Sequence, residues 1–298
     1  MKEYPVAAER RLPEWMRVPA PGAPNYLKLL NLVKRNEMHT VCEEAHCPNI
    51  GECWQRGTAT FMLLGETCTW ACQYCAVKTG RPNALDPGEP ARLASTVAKL
   101  GLKYCVITSV TREDLPDGGA SVFAESITLI HGALPGCKVE VLTPDFLGVD
   151  ADIKTVLDAG PEVMNHNIET TRNVFRQVRP KGDYDRSLRF LRRSAEMAPN
   201  IPTKSGIMVG LGETTDDIKR TMEDLREANC QLLTIGQYLR PTKIHWKLDR
   251  FYTPDEFQEL ADIGMAMGFR HVASGPLVRS SYYADEQAEA ATTENAAV

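Results

Sequence analysis

The sequence predicts an α/β protein: a partial (β/α)6 barrel of the TIM type, with an N-terminal extension and a short C-terminal one. Two observations carry that prediction. Six short apolar runs recur along the middle of the chain and are near-continuous rather than alternating, as in strands buried on both faces of a parallel sheet. Between them lie segments whose apolar residues fall at helical spacing. Strand–helix units repeated in this way form a barrel whose working residues sit on loops after the strands' C-terminal ends.

In chain order, residues 1–24 are rich in Pro and Arg, with Pro5, Pro13, Pro19, Pro21 and Pro24. Proline fixes φ and removes backbone donors, so an extended arm draped over the rest is expected. Tyr26, Leu29, Leu30 and Val33 predict a helix over 25–36. A loop-like stretch with Pro48, Asn49 and Gly51 follows. The six strands are expected at 60–64, 104–110, 137–143, 162–168, 203–209 and 231–237. Helices are expected at 183–197 (Tyr184, Leu188, Leu191, Ala195) and 214–228 (Ile218, Met222, Leu225). Thr253-Pro254-Asp255-Glu256 is a capping box with proline at the first helical position, opening a helix over 254–267. The Ala/Glu/Thr-rich tail, 284–298, is expected to be disordered.

With 298 residues, 43% hydrophobic and 24% charged, the chain has the composition of a globular protein able to bury a large core. No segment has the apolar length of a membrane span, so no membrane is expected. A net charge of −5 argues against a general nucleic-acid binder. No apolar export signal is visible at the N-terminus, so a cytoplasmic location is expected. There the cysteines stay reduced, and metal or catalytic use outranks disulfides.

Six of the nine cysteines fall in two runs: Cys42-x4-Cys47-x5-Cys53 and Cys68-x3-Cys72-x2-Cys75. Each offers three thiolates, one short of an ordinary iron–sulfur set. A three-cysteine site leaves one iron for an exogenous ligand or an unusual fourth protein ligand, which suggests catalysis rather than simple electron transfer. The second run follows the first expected strand, at the catalytic rim of a barrel. Structural zinc is the rival, but it usually takes four ligands in paired blocks, and no fourth lies nearby. His46, between two cysteines, is expected in a loop or supporting role. Cys105, Cys137 and Cys230 lie in or beside expected strands as packing residues.

The CxxxCxxC run, with Tyr74 before its last cysteine, resembles the radical S-adenosylmethionine (SAM) superfamily. The segment from Thr40 to Trp54, the arm's Leu12-Pro13-Glu14-Trp15-Met16-Arg17 and the C-terminal Arg279-Ser280-Ser281-Tyr282 resemble the lipoyl synthase family within it. The resemblance spans about Leu12 to Ala284. It implies two [4Fe–4S] clusters and SAM as cofactors. Cys68, Cys72 and Cys75 would hold the cluster that binds and cleaves SAM to a 5′-deoxyadenosyl radical, a strong abstractor that no side chain supplies. Cys42, Cys47 and Cys53 would hold an auxiliary cluster that donates sulfur. Ser280 would be that cluster's fourth ligand, with Ser281 as fallback; alkoxide is harder than thiolate and less well matched to iron–sulfur sites. The implied activity is insertion of two sulfurs, at C6 and C8 of a protein-bound octanoyl-lysine. Implied partners are octanoylated lipoyl carrier domains (2-oxoacid dehydrogenase E2 subunits and the glycine cleavage H protein), a ferredoxin or flavodoxin reductant, and iron–sulfur repair factors. On this resemblance the chain divides into an auxiliary-cluster extension (1–59), a radical SAM barrel (60–270) and a C-terminal extension (271–298).

SAM contacts are expected from three places. Gly118 and Gly119, after the second strand, match the superfamily's glycine motif, where glycine permits a tight turn and close approach; a simple Asp-Gly turn is the alternative. Asn167 and Glu169 form a polar cluster at the end of the fourth strand, costly unless it meets a ligand or partner. Lys204 begins the fifth strand, ahead of Gly206-Ile-Met208-Val-Gly210-Leu-Gly-Glu213, which resembles the superfamily's adenine-side region. Arg172, Arg176, Arg179, Lys181, Arg186, Arg189 and Arg193 make a basic region expected to help dock acidic carriers, or else a solvated face.

Overall fold

The computed structural model describes residues 12–18, 22–36, 38–44 and 47–293. Helix α1 (Pro24–Arg35), strand β1 (His39–Thr40) and helices α2 (Val41–Glu44) and α3 (Ile50–Arg56) form the N-terminal part. Strand β2 (Ala59–Leu63) then leads to the short pair β3 (Thr67–Cys68) and β4 (Lys78–Thr79). Alternation follows: α4 (Glu89–Leu100), β5 (Tyr104–Ser109), α5 (Ala120–Ala133), β6 (Lys138–Leu142), α6 (Asp150–Asp158) and β7 (Val163–Asn165). Helices α7 (Arg172–Val178) and α8 (Tyr184–Met197) precede β8 (Thr203–Val209). The chain continues through α9 (Thr215–Glu227), β9 (Leu232–Gln237), α10 (Pro254–Ala266), β10 (His271–Gly275) and α11 (Ala284–Thr293).

One open sheet runs in the order β1-β2-β5-β6-β7-β8-β9-β10. Every pairing from β2 to β10 is parallel, and only β1 runs against its neighbour. The expected partial barrel is therefore present, with each expected strand within a few residues of its place. β10 adds a parallel strand that the apolar pattern did not announce. Its residues, His271-Val-Ala-Ser-Gly275, are mostly small or polar and only Val272 is buried.

Phe61, Ile107, Phe123, Ile127, Val139 and Met164 pack the strands against the outer helices without solvent contact. Each such side chain contributes about 1.5–3 kcal/mol by burial. Thr253 caps α10 as expected: its hydroxyl accepts from Glu256 N (3.3 Å), and the Glu256 carboxylate accepts from Thr253 N (2.8 Å).

Three expectations need correction. The first cysteine run is not loop-like, because α2 and α3 carry Cys42 and Cys53. Residues 284–293 are not disordered. As α11 they set Ala284, Ala288 and Ala291 against Tyr104, Val106, Val163 and Leu232, at or near the starts of their strands. Alanine is the best helix former, and its small side chain allows close approach to that floor. Lys204 does not reach the strand ends. Its ammonium is wholly buried beside the floor, 2.9 Å from Glu140, which also accepts from Tyr104 OH (2.9 Å) and Asn165 Nδ2 (3.2 Å). His46 lies outside the described residues, as does most of the proline-rich arm. Among the described residues no helix is long and apolar enough to cross a membrane.

Candidate functional site

The second cysteine run forms the loop after β2. Cys68 ends β3, and its sulfur accepts from Trp70 N (3.4 Å) and Thr111 N (3.3 Å). Cys72 and Cys75 close a tight turn, Cys75 N donating to Cys72 O (3.1 Å). Burial pushes the Cys75 thiol up to about 12, and the nearby Cys72 and Cys68 sulfurs add to the rise. Burial also raises Cys72, while Arg179 pulls it down. Cys72 and Cys75 are therefore poor thiolates alone and good ones around a cation, since a ligating thiol must lose its proton.

The first run gathers in the same way. Burial raises Cys42 to about 11 and Cys53 to about 12, with Cys47 adding to the rise in both. Arg279 opposes the rise in Cys47, so the C-terminal motif lies against this triad. The hydroxyl of Ser281 is bonded to Thr60 (2.7 Å), whose own side chain neighbours Cys42. Ser280 accepts from Asn167 Nδ2 (2.6 Å). Further contacts fasten the motif to α3: Asn49 Nδ2 donates to Leu277 O, Tyr282 and Tyr283 donate to Glu52, and Arg56 stacks over the Tyr283 ring at 3.9 Å.

Asn167 and Glu169 follow β7, and their side chains are within hydrogen-bond reach of each other. Asn167 holds Ser280. Glu169, at φ 73°, is half-buried among Cys72, Cys75, Tyr74 and Arg179. Burial raises its carboxyl and Arg179 lowers it. Its backbone accepts from Met208 N (2.8 Å), which fixes the unusual turn. Gly118 and Gly119 both take positive φ, 60° and 93°, just before α5. Gly119's φ of 93° is what favours glycine there, and a Cβ would also push against the Leu64 side chain, 2.4 Å from its Cδ1. Asp117 fixes the turn by accepting from Gly119 N and Ser121 N, each at 2.9 Å.

Around this mouth, buried polar atoms lack protein partners: Trp70 Nε1, Asn167 Oδ1, Thr170 Oγ1, Thr171 Oγ1 and Arg179 Nε. Orphaned groups of this kind are rare unless a ligand or water meets them, and they fit a polar cofactor such as SAM. Among the described residues no three His, Cys, Asp or Glu side chains converge as the ligands of one ion do.

Comparison with known proteins bears on the same features. The profile of the Radical SAM superfamily matches residues 62–225, and that of the N-terminal domain of lipoyl synthase matches residues 3–47. A lipoyl synthase of Rubrobacter xylanophilus is 56% identical, covering 93% of this chain and 86% of its own. One from Halalkalibacterium halodurans is 54% identical, over 93% and 92%. The chain belongs to the lipoyl synthase family. As a family member it is a sulfur-inserting radical SAM enzyme whose cofactors are SAM and [4Fe–4S] clusters, an auxiliary one included. The fold is also that of two solved structures. The FeFe-hydrogenase maturase HydG from Carboxydothermus hydrogenoformans has a TM-score of 0.55 and 13% identity, over 81% of this chain and 63% of that one. Streptococcus suis SuiB bound to S-adenosylmethionine has a TM-score of 0.52 and 11% identity, over 72% and 49%.

The structure also brings in residues the sequence did not single out for this role. Arg179, expected on a docking surface, is buried under the mouth; its Nη1 donates to Asn167 O (3.1 Å) and its guanidinium lies 5.0 Å from the Trp70 ring. Thr60, Glu52 and Arg279 link the first triad to the C-terminus. Arg279 sits inside the quoted motif and was the one legible candidate. Much of the basic region is already engaged, through Arg186–Asp145 (2.7 Å), Arg193–Asp150 (2.7 Å) and Arg172–Asp185 (2.8 Å).

Proposed function

We propose that this lipoyl synthase family member inserts sulfur at C6 and C8 of an octanoyl chain carried on a lysine of a lipoyl carrier domain. The observation that carries this is the segment 167–169 just after β7: Asn167 donates to Ser280, whose neighbours Arg279 and Ser281 are tied to the first triad, and Glu169 lies beside the second. It supports two centres facing one cavity. When bound, the cluster held by Cys68, Cys72 and Cys75 would supply the electron that cleaves SAM, and the one held by Cys42, Cys47, Cys53 and Ser280 would supply sulfur.

The chain's own residues would do the rest. Gly118 and Gly119 let backbone approach the methionine end of SAM, and Asn167 and Glu169 offer further contacts. Asn167 also orients the Ser280 hydroxyl as a ligand. Arg179 balances the charge of Glu169 and Cys72 out of water. The three units proposed are an auxiliary-cluster extension over 1–59, a barrel over 60–270 and an extension from 271. Cytoplasmic E2 and H-protein carriers, a flavodoxin or ferredoxin reductant and iron–sulfur repair factors complete the proposal.

The test is anaerobic reconstitution with iron and sulfide counts, then SAM, reductant and an octanoyl-lysine peptide. Cys42→Ala is expected to cleave SAM yet form no lipoyl product. Normal product from that variant would refute the sulfur-donor assignment.

A further inference from the structure

Ile244 is the most exposed large hydrophobic side chain among the described residues, 88% open to solvent. It tips the loop between β9 and α10, and Arg240, Lys243 and Lys247 are exposed around it; Asp249 is the one acid within that stretch. The loop is not loosely hung. Trp246 N donates to Gln73 O (2.7 Å), and a ring nitrogen of His245 donates to Cys75 O (3.0 Å). The Trp246 indole donates to Leu211 O (2.9 Å), and Tyr238 OH donates to Trp246 O (2.8 Å). Trp246 and Leu248 pack with Tyr74 against Val178, Leu211 and Tyr238. Only the tip stands out, while the base is bonded to the backbone of the Cys72–Cys75 turn. Ala71 and Gln73 of that turn are themselves exposed, so the second triad lies just beneath this surface.

We infer that the Arg240–Lys247 tip is the docking surface for a small acidic one-electron carrier protein that feeds the Cys68, Cys72 and Cys75 centre. A rigid apolar knob ringed by positive charge, on a chain whose net charge is −5, suits brief and electrostatically steered contact with an acidic partner. Each docking event passes one electron: the carrier is oxidised by one, the centre is reduced by one, and no bond changes at the surface. An octanoylated carrier domain is the rival occupant. It must reach the first triad as well, whereas this loop is bonded to Gln73 and Cys75 on one side and to Gly210 and Leu211 on the other, none of them in the first triad.

The inference rests on the proposed function, and the test separates the two. Reconstituted wild type, Lys243→Glu/Lys247→Glu and Ile244→Asp are compared for SAM cleavage driven by reduced bacterial flavodoxin and by dithionite. Binding of oxidised flavodoxin is titrated directly, without turnover. At low salt the variants should lose about tenfold or more in kcat/KM for flavodoxin and in affinity, and the loss should shrink as salt rises. Their dithionite rates should match wild type. Equal loss with dithionite, no loss with flavodoxin, or a loss only in KM for an octanoylated carrier protein would each overturn the assignment. Wild type that cannot cleave SAM even with dithionite would sink the proposed radical chemistry itself, and this inference with it.

Discussion

His166 has both ring nitrogens committed in a fully buried place, next to the mouth. Thr143 O can only accept, so Nδ1 carries the proton across their 2.8 Å bond, and Nε2 accepts from the Ser187 hydroxyl at 3.0 Å. Burial, then Arg179, hold its pKa down to about 4 from an ordinary 6.5, with Asp145 pulling the other way. The unfolded chain therefore binds a proton more readily than the folded one between those values. Stability from this group is present above pH 6.5 and is lost as pH falls toward 4, by about 3 kcal/mol at most. Thermal melts of the apoprotein from pH 7.5 to 4.5 should show that fall, and His166→Gln should flatten it. An unchanged slope in the variant would mean other groups carry the acid sensitivity. Lys204 gives a second test. Lys204→Met should cost about 3–5 kcal/mol, because Glu140 would be left as an unpaired buried charge. Lys204→Met/Glu140→Leu should recover most of it, and a denaturant series on both variants checks the pair.

Helix α11 shows what an element can do without an apolar run of its own. Its buried apolar positions are alanines, which composition cannot tell from a solvated tail. Yet the barrel needs something to cover Tyr104, Val106, Val163 and Leu232 at its floor, and only small side chains fit between those residues and a helix axis. Ala288→Leu should overpack that layer and cost about 1–3 kcal/mol. Denaturant unfolding of the apoprotein measures it, and a neutral result would mean the helix stands off the floor. The six expected strands were legible because each is an apolar run of strand length. β10 was not, since Ser274 and Gly275 end it and Ser274 spends its hydroxyl on Phe257 O (2.7 Å). Lys204 reads as a SAM contact because it begins the fifth strand, ahead of the glycine-rich segment. Its partner Glu140 stands 64 residues earlier, a pairing set by the order of strands around the sheet. At the site, cysteine spacing announced both triads. The bonds from Asn167 to Ser280 and from Thr60 to Ser281 depend on the closed fold and leave no local trace.

At the scale of the whole molecule, the segment from Leu277 to Glu286 ties both ends of the chain together. It leaves β10 at one edge of the open sheet and meets α3, which precedes β2 beside the other edge. Asn49, Glu52 and Arg56 hold it from the N-terminal side; Thr60 and Asn167 hold it from the barrel, and Arg56 also pairs with Glu286 at 2.6 Å. The ion pair is exposed and worth little alone. The Tyr282–Tyr283–Glu52–Arg56 group is stronger as a set, because each member orders the next. Iron and sulfide bound between these two stretches would stabilise them together, since a ligand that favours the folded state raises stability by mass action. Hydrogen exchange is therefore expected to slow in 47–56 and 277–283 together on reconstitution, while β5 and β6 change little. Glu52→Ala should speed exchange in 277–283 of the apoprotein by severing both tyrosine bonds, and cluster loading should restore part of the protection. If reconstitution protected 47–56 and left 277–283 as before, the C-terminal serine would not belong to the same cooperative unit as the first triad.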